Sequence, residues 1–175
     1  MKHMQSIAQI SWVWVAALLL VACTSTQEPS PDMLPPTPGR QTELTQLYDQ
    51  LGHENARISD GAARIAANGD DRDRRFMASL WGTRTRSAPG ARRYAHALAA
   101  KGLHQEAYDW FERAFYHAED DELLAWLRYE MAQQLVALGR NDDAINLLGN
   151  RMGTTPLPAE LKVKYSELID RAARG

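Results

Sequence analysis

The chain has one cysteine, Cys23, among 175 residues. A single thiol has no partner within its own chain, so packed side chains rather than disulfides must hold the fold. Isoleucine and valine are scarce beyond residue 40, where only Ile58, Ile65, Ile145, Ile169, Val136 and Val163 occur. That supply is too small for the core of a β-sheet. Long apolar runs are missing as well. The run from Trp12 to Ala22 has 11 residues, and extending it back to Ile7 admits Gln9 and Ser11. A membrane-spanning helix needs about 20. An excess of one charge is absent, since the formal net charge is −2, which argues against a general nucleic-acid binder. Motifs of catalysis are missing too. No H-E-x-x-H, no G-x-S-x-G and no phosphate-cradling glycine loop occurs. His53, His96, His104 and His117 have no cysteine beside them to complete a zinc site. The acidic runs Glu119-Asp120-Asp121-Glu122 and Asn141-Asp142-Asp143 read as helix starts, where the macrodipole favours negative charge. Neither an enzyme nor a metal protein is expected.

What is present begins at the N-terminus. Lys2 and His3 precede the apolar run, which closes on Leu20-Val21-Ala22-Cys23. A basic start, an apolar middle and small residues before a cut site make a secretory signal. The quartet resembles the lipobox of bacterial lipoproteins. That resemblance implies cleavage before Cys23, a diacylglycerol on its thiol and an acyl chain on the new amino group. Three chains exceed the two needed for stable anchoring. Thr24 follows Cys23, in place of the Asp that retains many enterobacterial lipoproteins in the inner membrane. By that resemblance the protein belongs on the inner leaflet of the outer membrane, facing the periplasm. Loss of residues 1–22 removes only Lys2, taking the formal charge from −2 to −3.

Residues 23–40 are expected to form a disordered tether. Pro29, Pro31, Pro35, Pro36 and Pro38 stand there among Thr, Ser, Gln and Gly, a composition that cannot pack a core and favours extended chain. The stretch from Thr24 to Arg40 would reach about 50 Å at most.

Residues 41–175 suffice for one compact domain, and Ala, Leu, Arg, Glu and Gln favour helix throughout. Leu44, Leu47, Tyr48 and Leu51 form one stripe at helical spacing. The last helix, 158–173, starts at Pro158 and carries Leu161, Tyr165, Leu168, Ile169 and Ala172 on one face. Between them a pattern recurs: Ala62, Ile65, Gly69; Ala95, Leu98, Gly102; Ala132, Leu135, Gly139. The Ala admits a second helix closely, the Ile or Leu fills the gap, and the Gly ends the helix with a positive φ. Ala107, Phe111 and Ala114 follow Gly102, and Ala144 and Leu148 follow Gly139.

These residues resemble the tetratricopeptide repeat, whose helix pairs recur about every 34 residues. The resemblance covers about residues 55–152. Ala91 and Arg128 replace its opening Trp, Glu119 replaces its closing Pro, and Arg74 stands where the second-helix Ala belongs in the first unit. It implies an all-α fold, a short α-solenoid of about three helix pairs (about 55–85, 88–118 and 122–152) between flanking helices. It also implies a groove lined by the first helix of each pair, with Ser59 and Ala63, then Arg92 and His96, then Trp126, Tyr129 and Gln133 facing a partner. Tryptophan, tyrosine and arginine are common interface anchors. A second candidate is the arginine-rich stretch Arg72, Arg74, Arg75, Arg84, Arg86, Arg92 and Arg93, set against Asp70, Asp71 and Asp73. Guanidinium forks suit anions, so headgroups, peptidoglycan or an acidic protein face are its candidate ligands. The expected function is a lipid-anchored periplasmic adaptor that binds another envelope protein. Lipoproteins of this layout resemble pilotins, barrel-assembly accessories and hydrolase adaptors. The alternative is an obligate structural subunit of a secretion or pilus complex.

Overall fold

A computed structural model describes residues 34–149 and 157–174. The expected signal 1–22, the expected lipidation site Cys23 and most of the expected tether lie outside the described residues. Among the described residues the chain is all-α, with eight helices and no strand: α1 Pro38–Leu51, α2 Ala56–Ala67, α3 Asp71–Thr83, α4 Ala88–Ala99, α5 His104–Tyr116, α6 Asp121–Ala137, α7 Asn141–Gly149 and α8 Ala159–Ala172. All belong to the unit that begins at Pro35. The expected tether therefore ends early. Pro38 opens α1 at its first turn, where the missing N–H costs nothing, and Arg40 inside α1 is bonded to Asp73 of α3 at 2.7 Å.

Local chemistry sets the helix starts. Asn55 accepts the Arg57 N–H at 3.0 Å, Asp70 that of Asp73 at 2.9 Å, Ser87 that of Gly90 at 3.1 Å and Asp120 that of Leu123 at 2.7 Å. Each satisfies a donor that has no partner within its helix. Gly102 and Gly139 end α4 and α6 with φ of 75° and 72°. Leu103 N–H reaches Leu98 O at 3.1 Å, and Arg140 N–H reaches Leu135 O at 2.8 Å, the paired closure of a Schellman turn. Open space surrounds the Cβ site at both glycines, so backbone strain alone penalises a side chain there. Gly102→Ala and Gly139→Ala are each expected to cost about 1–2 kcal/mol, read as a lower urea midpoint at unchanged slope. A loss under about 0.3 kcal/mol would contradict the left-handed turn.

The first unit of the pattern differs from the other two. Gly69 is outside the positive-φ set, and Ile65 is 50 % exposed while Leu98 and Leu135 are buried. Ser59 and Ala63, expected in a groove, are fully buried instead. The cause is α1. Its stripe of Leu44, Leu47, Tyr48 and Leu51 is buried, and it packs against α2, α3 and α4, leaving α2 and α3 little contact with each other. The small residues Ala62, Ala63, Ala66 and Ala67 of α2 let neighbouring helices approach it. Farther on, α4 packs on α5, α5 on α6, α6 on α7, and α8 on α6 and α7.

Two cores result. The larger joins α1 to α5 through Met77, Tyr94, Leu98, Trp110 and Phe111 and also takes Leu127 and Met131 of α6. The smaller joins Ala125, Ala132 and Leu135 of α6 to Leu148, Leu161, Tyr165 and Leu168. Burial on two faces explains why α6 shows no single apolar stripe in sequence.

Candidate functional site

The helix order brings the last turns of α1, α3 and α5 and the first turns of α4 and α6 to one end of the domain. A cleft of about 780 Å³ opens there. Its apolar lining includes Tyr48, Leu51, Trp81, Ala88, Ala91, Trp110 and Leu123. Trp81 meets Trp110 edge-on at 5.7 Å and His117 at 5.2 Å. Tyr94, buried beneath, holds Trp110 edge-on at 4.9 Å. Asp49, His53, Arg86, His117, Glu119 and Asp120 supply the polar part of the lining. Tyr48 donates its hydroxyl to Thr85 O at 3.4 Å, and burial pushes its phenol above the ordinary value. Asp49 faces Arg84 at 3.2 Å. Arg86 donates its Nε–H to Trp81 O at 3.1 Å.

Shape places the cleft among ligand-binding cavities, which run from about 300 to 1,000 Å³ with mostly apolar walls and a few placed polar groups. Compared with protein-family models, curated proteins and solved structures, the chain matches none of them. Function therefore rests on the residues themselves. Among the described residues no group of three or more His, Cys, Asp or Glu converges as a metal site. No described helix is long and apolar enough to cross a membrane.

The five residues expected in one groove fall into three places. Arg92 and His96 of α4 converge on Glu130 of α6. The guanidinium reaches Oε1 at 2.5 Å and Oε2 at 2.9 Å, and His96 Nε2 reaches Oε1 at 3.1 Å. Glu130 is buried, and burial pushes its carboxyl up, but the bonds from His96 and Arg92 outweigh burial and leave it below the ordinary value. Trp126 and Tyr129 are half-buried and face α8. Tyr129 stacks on Tyr165 at 6.2 Å with ring planes 12° apart, and Lys164 lies 5.9 Å from the Trp126 ring. Tyr165 in turn donates its hydroxyl to Ala125 O at 2.8 Å, and burial pushes its phenol up to about 12. Gln133 lines a separate depression with His104, Gln134, Leu168 and Arg171. The capping helix thus takes the aromatic pair that the repeat resemblance assigns to a partner.

The arginine stretch is not assembled as one anion-binding face either. Arg72 pairs with Asp70 at 3.0 Å, Arg84 with Asp49 at 3.2 Å and Arg93 with Asp60 at 3.6 Å. Arg74 is the most buried of them. It meets Glu106 at 2.8 Å and Gly69 O at 2.6 Å, and also bonds Asp71. Arg75 is exposed and has an interaction of its own. Only Arg86 of the set lines the cleft. Carboxylates of the fold pair with Arg72, Arg74, Arg84, Arg92 and Arg93.

Sequence reasoning missed the cleft. Its lining comes from five helix ends and the turns between them, at positions from Tyr48 to Leu123, and no periodicity links such residues.

Proposed function

We propose that this protein is a lipid-anchored periplasmic adaptor, held by Cys23 to the inner leaflet of the outer membrane, that binds another envelope protein and does no chemistry on it. The observation that carries the binding role is the aromatic-floored cleft at the ends of α1, α3 and α5. Its half-buried Trp81 is of the residue type most often found as an interface anchor. The helix pairs α4–α5 and α6–α7, each turned by a left-handed glycine, support a tetratricopeptide-like reading of residues 88–149. Two such pairs plus a capping helix α8 are the reading we draw from α4 onward, while α1 to α3 share the larger core with α4 and α5. The lipobox Leu20-Val21-Ala22-Cys23 supports the anchor.

A photocrosslinking side chain at position 119, on the cleft lining, tests the binding role against one at position 163, where exposed Val163 lies on α8. Intact envelopes should give one dominant adduct from 119 and none from 163. An adduct from 163 alone would overturn the assignment of the cleft. Cys23→Ser should leave the protein without lipid and outside the membrane fraction; normal acylation of that variant would remove the anchor from the reading.

A permanent structural subunit is the second reading. Ile58 and Ile65 favour it, being 40 % and 50 % exposed and seven residues apart on one face of α2. Such a subunit would lose solubility when purified alone, whereas an adaptor stays a soluble folded unit.

A further inference from the structure

One side of α2 faces solvent with apolar and basic side chains together. Ile58 and Ile65, 40 % and 50 % exposed, stand seven residues apart. Gly61 lies between them, one turn from each, with open space where a side chain would stand. Arg57 and Arg64 each precede one of the isoleucines and are exposed. Among the described residues neither guanidinium forms an ion pair. The single acid of α2, Asp60, is 3.6 Å from Arg93, and Glu54 precedes the Asn55 cap, outside the helix. Val163 of α8 is exposed too, but Glu160 and Glu167 flank it three and four residues away. Exposed aliphatic side chains beside unpaired cations are the composition of a helix that lies in a membrane interface. There the long arginine stems reach the headgroups while the aliphatic side chains go below them.

The point where the chain enters the domain says what can cover this side. The domain begins at Pro35, so the 12 residues from Cys23 to Leu34 separate it from the proposed lipid. Extended at about 3.1 Å each, they reach about 37 Å at most. Helices α1 and α2 are packed neighbours joined by the short turn 52–55, which makes them antiparallel. The start of α1 therefore lies beside the last turn of α2, where Ile65 stands. A tether this short holds the headgroups at an effective concentration on the order of millimolar, so an affinity too weak to retain a free protein suffices. We propose that α2 lies along the anionic headgroups of the membrane that holds Cys23, with Ile58 and Ile65 among the upper acyl carbons and Arg57 and Arg64 on lipid phosphates. The claim rests on the lipid anchor of the adaptor reading and says how the anchored domain is turned. A membrane surface would cover the two isoleucines with no second subunit.

Cys23 is the only cysteine of the chain, and lipidation takes its thiol. Gly61→Cys then supplies one free thiol for a nitroxide in the middle of the face, and Val163→Cys supplies one for a control. The full chains, their acylation checked by mass, are floated with phosphatidylcholine vesicles that contain or lack phosphatidylglycerol. With phosphatidylglycerol the nitroxide at 61 should lose most of its collisions with a water-soluble nickel chelate and gain collisions with oxygen. The nitroxide at 163 should keep its chelate collisions. Arg57→Gln and Arg64→Gln should each lower the ratio of docked to free domain about fivefold. Ile58→Ser with Ile65→Ser should return position 61 to water. All four positions are exposed, so helicity and the urea midpoint should hold. Equal chelate access at 61 and 163 would overturn the proposal, as would protection at 61 that survives the double serine variant. Spin–spin broadening at 61 that is independent of lipid would also overturn it and place a second copy on this face. A lipidated chain that floats with position 61 in water would sink the docking and leave the anchor. Protection at 61 on anionic vesicles in a chain whose mass shows no lipid would sink the anchor and leave the docking.

Discussion

Phe111→Ala is expected to lower the unfolding free energy by about 3–5 kcal/mol. Phe111 has no exposed surface and sits in the larger core with the His96 ring edge-on at 5.0 Å. Its neighbours one turn away on α5, Ala107 and Ala114, are also fully buried. They are too small to move into the space a deleted ring leaves, so the cavity term adds to the lost transfer energy. A domain of this kind has about 5–15 kcal/mol in all, so the change removes about a fifth of it or more. Urea unfolding followed by circular dichroism gives the number. Tyr116→Ala, five positions on and 74 % exposed, is the control and should stay within about 0.5 kcal/mol. A loss below about 1.5 kcal/mol at position 111 would mean that the site collapses around the hole.

Glu130→Gln is the second large effect, expected at about 2 kcal/mol near pH 7. The substitution keeps the shape and removes the charge that holds Arg92 and His96. Deleting one partner of a fully buried pair costs about 3–5 kcal/mol. Here the side chains of Arg92 and His96 are 32 % and 53 % exposed and turn to water when released, which puts the loss at the lower figure. The sign with pH follows from the depressed carboxyl. Its stabilisation is complete above the unfolded-state value of about 4.3. It is lost as the pH falls through the lower folded-state value. The gap between wild type and Glu130→Gln should therefore close on acidification below about 4. A gap that widens toward acid would contradict the ion pair.

The helices were legible in the sequence and their partners were not. The stripe Leu44, Leu47, Tyr48 and Leu51 is buried as its spacing predicts, and Gly102 and Gly139 take the positive φ their pattern predicts. Those features depend on neighbours in sequence. Gly69 and Ile65 stand at the same spacing, yet Gly69 takes no positive φ and Ile65 stays half in solvent, and α2 packs on α1 and α4 rather than on α3. Spacing records periodicity and says nothing of which helix arrives. Trp126 and Tyr129 were misplaced for the same reason: the repeat pattern contains no α8, and α8 lies over them. Arg92 and His96 do come together, one helix turn apart, but the buried acid that gathers them, Glu130, has the look of any surface glutamate in sequence.

The sharing of α6 between two cores gives the domain a lever. Asp120 and Leu123 at its start line the cleft, Leu127 and Met131 engage the larger core, and Ala125, Ala132 and Leu135 engage the smaller. The 17 residues of α6 contain neither glycine nor proline, so the helix has no joint at which to bend. A partner that pushes on Leu123 can fray the first turn or tilt the whole rod. The Asp120 cap resists fraying. Tilting delivers the displacement along about 25 Å of helix, and Tyr165 of α8 is anchored on that same rod through Ala125. Occupancy at one end of the domain would thus be written into the seating of its last helix.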